Sequence, residues 1–192
     1  MPPKYKFTKE EIIEASLNMI RESGTESITA RALAERLGSS SKPIFSLFRN
    51  MDEVMHETVK AIKNIYNQYI VIGLSSDLPF KGVGTQYILF AKNEPNFFKL
   101  LFMNHCGEAS DVLSTLPDID DNYKEILLSV QMYDSLSEFE AKKLYKHLWI
   151  YTHGIASLIA TDVCCFTAEE IGEMMTEVFK SLVNNMKGDN SL

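Results

Sequence analysis

Ser41, Lys42, Phe45, Ser46 and Arg49 fall on one side of a helix drawn at about 100° per residue, and Ile44, Leu47 and Phe48 fall on the other. One side is apolar enough to anchor. The other carries small hydroxyls, two cations and a flat ring, a set that suits phosphate oxygens and the edges of bases. The remaining reactive side chains form no comparable group. The histidines are His56, His105, His147 and His153, and the cysteines are Cys106, Cys164 and Cys165. His105 and Cys106 with Glu108 come nearest to a metal or thiol site, but neighbours in sequence do not surround an ion and no second ligand pair has standard spacing. The chain has no Gly-rich phosphate loop, nucleophile elbow or H-E-x-x-H. Neither a metal nor a cofactor is expected. His153 reads as a hydrogen-bonded core residue, and Cys164 and Cys165 as small hydrophobes.

The elements that must position the outward face are helical. Apolar positions recur at helical spacing along the chain, punctuated by Gly, Pro and Ser-Asp clusters, which predicts an all-α fold of about nine helices. Thr8 with Glu11 is a capping box that starts a helix near Lys9, and Gly24 stops it. Thr29 caps a second helix with Ala30, Leu33, Ala34 and Leu37 on one face, and Gly38 ends it. Ser39 or Ser40 caps a third, with Pro43 inside its first turn. Asn50 with Glu53 repeats the capping-box pattern and opens a long helix over about 51–74. Further helices are expected near 79–92, 95–105, 118–134, 137–162 and 167–187, the first of these weakened by Lys81-Gly82-Val83-Gly84.

Of 192 residues, 45% are hydrophobic and the net charge is −7. The sign is unevenly spread. Residues 1–50 hold eight Lys and Arg against six Glu, and the rest hold eleven against twenty acids. A slightly basic head over 1–50, continuing into the fourth helix, therefore precedes an acidic body over 51–192. No apolar run reaches the roughly 18 residues that span a bilayer. The charged N-terminus precedes no apolar leader, and three cysteines suit no disulfide framework, so the expected compartment is the cytoplasm, away from membranes.

Two short helices joined by a Gly-containing turn suit the major groove of double-stranded DNA, with Arg31, Arg36 and the Lys4/Lys6 arm placed for phosphates. Thr29, Ser40 and Pro43, at the helix starts that border the outward face, complete the candidate DNA-binding set. A helical hairpin packed inside a larger α protein is the alternative. Against it stand an apolar ring at Phe45 on a polar face, the brevity of the second helix and the local positive charge.

The stretches TKEEIIEA (8–15), GTESIT (24–29), RALAERLG (31–38) and PIFSLFRN (43–50), followed by Asp52 and Glu53, resemble the DNA-binding domain of TetR-family transcriptional regulators. The resemblance implies that the second and third helices are the helix-turn-helix and that the third reads DNA. Phe45 stands where that family commonly has Tyr, and Leu47 where it commonly has His. Trp149 to Gly154 resemble the W-x-x-x-H-G pattern of a subset of the family, whose last two helices form a dimer interface. Ala156, Ala160, Met175 and Phe179 are the candidate interface residues, since small residues let helices approach closely. Tyr87, Phe90, Phe98, Phe102, Tyr123, Met132, Trp149 and His153 are the candidate pocket for a small-molecule effector. An acidic outer field around an aromatic, Met-bearing interior points to an apolar molecule, neutral or cationic.

The reading is a ligand-responsive regulator, most simply a repressor, that binds a near-palindromic operator as a homodimer. Two rivals stay open: a small helical enzyme using His105, Cys106 or His153, and a helical protein-interaction module.

Overall fold

The computed structural model describes residues 6–103, 112, 116–117, 120–133 and 136–189. Nine α-helices run end to end among them: α1 (Lys9–Ser23), α2 (Ala30–Arg36), α3 (Lys42–Leu47), α4 (Met51–Leu74), α5 (Pro79–Asn93), α6 (Pro95–Phe102), α7 (Tyr123–Met132), α8 (Glu138–Ala160) and α9 (Ala168–Asp189). The fold is all-α, as the periodicity predicts. No helix among the described residues is long and apolar enough to cross a membrane.

The described residues divide into two compact units. One draws on Met1–Tyr66 and Glu94–Asn104, the other on Asn67–Asn93 and His105–Leu192. In the first unit, the Thr8 hydroxyl accepts the Glu11 N–H while the Glu11 carboxylate accepts the Thr8 N–H, so the capping box starts α1 where expected. Gly24 ends it at φ 75°, a left-handed value that favours glycine. Thr29 caps α2 through the Ala32 N–H, and Gly38 at φ 60° lets the Ser39 N–H return to the Ala34 carbonyl. The third helix departs from expectation. Its N-cap is Ser41, which is in the α region and makes no capping bond; Pro43 removes one N–H that a cap would serve. Ser39 instead accepts a bond from the Lys6 ammonium. The box at Asn50 is also only half made. Asn50 caps the Glu53 N–H, but the Glu53 carboxylate reaches one residue further back, to the Arg49 N–H.

With seven and six residues, α2 and α3 lie far below the roughly 12–15 at which isolated helices become even marginal in water. Their stability comes from a shared core of Ile12, Met19, Leu33, Ala34, Ile44, Phe48 and Val54. The α6 helix belongs to the same unit. Arg21, in the last turn of α1, grips Glu94 with two bonds of 2.8 and 3.0 Å and lies 4.8 Å from the Phe97 ring centroid. Asn96 donates to the Arg21 carbonyl, and Phe97 and Phe98 are fully buried.

In the second unit, α8 packs most extensively on α5 and α7, and α9 packs on α8. Ser137 and Thr167 cap α8 and α9, each paired with a Glu three residues on. The helix over 79–92 forms despite its glycines, and Gly82 has a clear reason to be there. A Cβ on Gly82 would collide with the Gly73 carbonyl oxygen, and one on Gly73 would lie 2.7 Å from backbone atoms of Gly82 and Val83. The end of α4 and the start of α5 therefore touch backbone to backbone. At Gly84 a Cβ would meet only the Met175 methyl at 3.6 Å, an ordinary contact. Gly73→Ala and Gly82→Ala should each cost about 1–3 kcal/mol or more. Gly84→Ala should be neutral or stabilise by up to about 1 kcal/mol. Urea denaturation distinguishes them, and equal midpoints for all three variants would overturn the backbone contact.

Candidate nucleic-acid interface and body core

Ile44 and Phe48 are buried and Leu47 half-buried, so the inward side of α3 is fixed by packing. That leaves Lys42, Ser46 and Arg49 exposed, Ser41 half-buried and Phe45 46% exposed. The split drawn from the helical wheel is thus realised. Thr29 and Ser40 are exposed, and Pro43 is half-buried at the second position of α3. The Ser46 hydroxyl donates to the Pro43 carbonyl at 2.6 Å, so outwardly it offers lone pairs.

The cations divide into held and unheld. Arg36, expected at a phosphate, is turned back into a two-bond fork on Glu22. The hydrogen bonds of that fork lower the Glu22 carboxyl and raise the Arg36 guanidinium from their usual values. Lys6 donates to the Gly38 carbonyl and the Ser39 hydroxyl. Lys9 lies 3.7 Å from Glu53, and the Arg49 Nε donates to the same carboxylate at 3.1 Å. Arg31 and Lys42 are exposed and make no ion pair or hydrogen bond among the described residues. Lys4 lies outside the described residues. A wheel diagram places a cation on a face but does not show which carboxylate on a neighbouring helix will hold it.

The aromatic candidates are spread over both units. Phe98 and Phe102 belong to the first unit, where they pack on each other, and Phe102 packs on Tyr66. Met132 is 86% exposed at the end of α7. Phe90 is fully buried against Tyr69, and Tyr123 packs near Tyr145. Tyr87, Trp149 and His153 do come together. The Tyr87 hydroxyl is 2.9 Å from the His153 Nδ1, and the Trp149 ring lies nearly parallel to the imidazole at 4.9 Å. Burial raises the Tyr87 phenol well above its usual value and lowers the His153 imidazole, which keeps both groups neutral near pH 7. Desolvation is the leading cause at Tyr87, and nearby Tyr145 and Asp120 add to it. Tyr145 is raised in the same way, by burial first and then by Asp120. Neither Tyr145 nor the buried Asp120 is among the candidates drawn from the sequence. Tyr145 is within reach of that reasoning, because it precedes Trp149 and His153 at four-residue steps on one helix face.

All four interface candidates make contacts within their own chain, and Met175 and Phe179 stay half-buried. Ala156 and Ala160 are 0% exposed. Met175 accepts a bond from Thr152 and sits against Gly84, and Phe179 packs on Phe80 and Tyr133. The thin side of α8 is used inside the unit. Its outward stripe is His147, Ile150, Gly154, Leu158 and Thr161, and a Cβ on Gly154 would meet nothing within 4 Å. Cys164 is half-buried and Cys165 exposed, so the second does not pack as a small hydrophobe. His105, Cys106 and Glu108 lie outside the described residues.

No protein-family model matches the chain, and no curated protein matches it. Among solved structures, a protein from Mesorhizobium loti MAFF303099 assigned to the TetR family of transcriptional regulators is similar. The two share 14% identity over 92% of this chain and 95% of that one, with a TM-score of 0.52. A protein from Streptomyces coelicolor A3(2) assigned as a transcriptional regulator shares 14% identity over 96% of this chain and 98% of its own, with a TM-score of 0.48. The helix-turn-helix of α2 and α3, set in this order of helices, gives the chain the fold of a TetR-family transcriptional regulator.

Proposed function

We propose that the chain is a ligand-responsive DNA-binding transcriptional regulator, a repressor that binds a near-palindromic operator as a homodimer. The observation that carries this reading is the outward face of α3. Phe45 stands exposed there beside Lys42 and Ser46, while Ile44 and Phe48 lock the opposite face into the core. Phe45 suits a thymine methyl, and Ser46 offers lone pairs to an adenine or cytosine amine. Arg31 and Lys42 are the cations ready for phosphates. Two such helices about 34–36 Å apart would read successive major grooves on one side of the duplex. Functionally, residues 1–50 with the start of α4 bind DNA, and 51–192 bind the effector and the second copy.

The partner-facing side of α8 is the exposed stripe through Ile150, Gly154 and Leu158, in place of the buried Ala156 and Ala160. A two-fold axis at Gly154 would set Ile150 of one copy opposite Leu158 of the other, since each lies four residues from the glycine. The effector is an apolar molecule, neutral or cationic, recognised around Tyr87, Trp149 and His153. By binding one conformer of the dimer better than the other, it would shift the heads out of register with the operator.

Gel-shift titrations across salt test the DNA reading on duplexes selected from a random pool. Arg31→Ala and Lys42→Ala should each weaken binding and reduce the salt slope by about one unit, while Arg36→Ala leaves the slope near its starting value. Equal slopes for all three variants would contradict the division between held and unheld cations. Sedimentation tests the dimer: Ile150→Glu or Leu158→Glu should yield monomers, because each would bury an unpaired charge. Dimers that survive both changes place the interface elsewhere.

Trp149 is the chain's one tryptophan, so intrinsic fluorescence reports on the body core directly. Protonating the stacked imidazole should change that emission with a midpoint below 6.5, the ordinary histidine value, because burial lowers the His153 pKa. The folded pKa lies below the unfolded one. The stability that His153 contributes is therefore present above about pH 6.5 and is lost as the pH falls toward the folded value. A midpoint at or above 6.5, or an unchanged titration in His153→Gln, would contradict the assignment.

A further inference from the structure

Glu53 is the side chain on which the ends of three helices converge. One of its oxygens, Oε2, accepts the Arg49 backbone N–H at 2.7 Å and the Arg49 Nε at 3.1 Å. The other, Oε1, lies 3.7 Å from the Lys9 ammonium, which itself sits 4.8 Å from the centroid of the Phe48 ring. Phe48 closes α3, Glu53 opens α4 and Lys9 opens α1. The carboxyl is held below the usual carboxylate range, first by the bond from the Arg49 backbone and next by the bond from its side chain.

The bond to Nε leaves the outer end of the guanidinium unused. Arg49 is 89% exposed in its side chain, and neither of its terminal nitrogens has a partner among the described residues. An arginine held at Nε keeps its two terminal nitrogens together as a planar fork, the geometry that binds a phosphate by two parallel bonds. A free arginine must first give up rotamer freedom to reach the same pose.

We propose that Glu53 is a positioning residue for DNA binding: it holds Arg49 by the backbone and by Nε so that the outer edge of the guanidinium is presented as a two-bond clamp for a backbone phosphate next to α3. This rests on the DNA-binding reading above and adds a role to a residue outside the candidate DNA-binding set drawn from the sequence. It also separates Arg49 from Arg36. The Glu22 fork occupies both terminal nitrogens of Arg36, whereas Glu53 takes only the inner nitrogen of Arg49.

The test is a double-mutant cycle on the full-length chain, read by gel shift with a duplex selected by the unaltered protein and with a random-sequence duplex. Glu53→Gln keeps one oxygen for both the Arg49 N–H and Nε but loses the charge that strengthens the hold on the guanidinium, and melting temperature checks that the head stays folded. Glu53→Gln should weaken binding about threefold to tenfold in the Arg49 background and not at all in Arg49→Ala. A carboxylate acting only by its own charge would instead strengthen binding when removed, equally in both backgrounds. Arg49→Lys is the second arm, since it keeps the charge on an exposed side chain and loses the Nε anchor. It should bind like Arg49→Ala. If Arg49→Lys binds like the unaltered protein, or if the Glu53→Gln effect is the same in both backgrounds, the positioning role is overturned. If the unaltered protein retains neither duplex, the DNA reading falls, and this proposal with it.

Discussion

Burial of Ile12, Leu33, Ile44 and Phe48 in one small core is the constraint on which the head depends. Neither α2 nor α3 has the length to persist by itself, so each is helical because its apolar side has somewhere to go. The same packing fixes how α3 is rotated about its axis. Once Ile44 and Phe48 are inside, Phe45 has no route to the core and must point outward. The outward display is thus a by-product of the inward fit.

Carboxylates do much of the arranging around that core. Glu22, Glu53 and Glu94 each hold an arginine, and each does so with a different part of the guanidinium. Counting charges along residues 1–50 gives a small positive excess, but the count treats all cations alike. The structure turns Arg36 and Arg21 into struts, leaves Arg49 half engaged and leaves Arg31 and Lys42 open. A modest field with well-placed donors favours fit over general attraction.

The sequence made the local grammar of the fold legible. Thr8, Gly24, Thr29 and Gly38 mark helix ends because a cap or a left-handed turn is decided by residues within a few positions. The two sides of α3 were equally plain. What was not legible is pairing across helices. Ala156 and Ala160 read as an outer contact because small residues permit close approach, yet nothing local says whether the approaching helix belongs to the same chain. The aromatic candidates are spread over both units, for the same reason. Phe98 and Phe102 share a composition with Tyr87 and Trp149, but the chain sends them to different units. Gly82 argued against a helix by propensity, and only the backbone of Gly73 beside it explains why a glycine is worth having there.

The grip of Arg21 on Glu94 has a consequence for how such a protein can change over evolutionary time. A head built only from consecutive residues could be exchanged whole between proteins by a single recombination event. Here α6 closes the first unit from a distance of some seventy residues, burying Phe97 and Phe98 against it. A gene fragment ending near Tyr66 would carry the helix-turn-helix away without the piece that completes its compact unit. The helix-turn-helix of this chain is therefore not a cassette, and its inheritance is tied to that of the segment around α6.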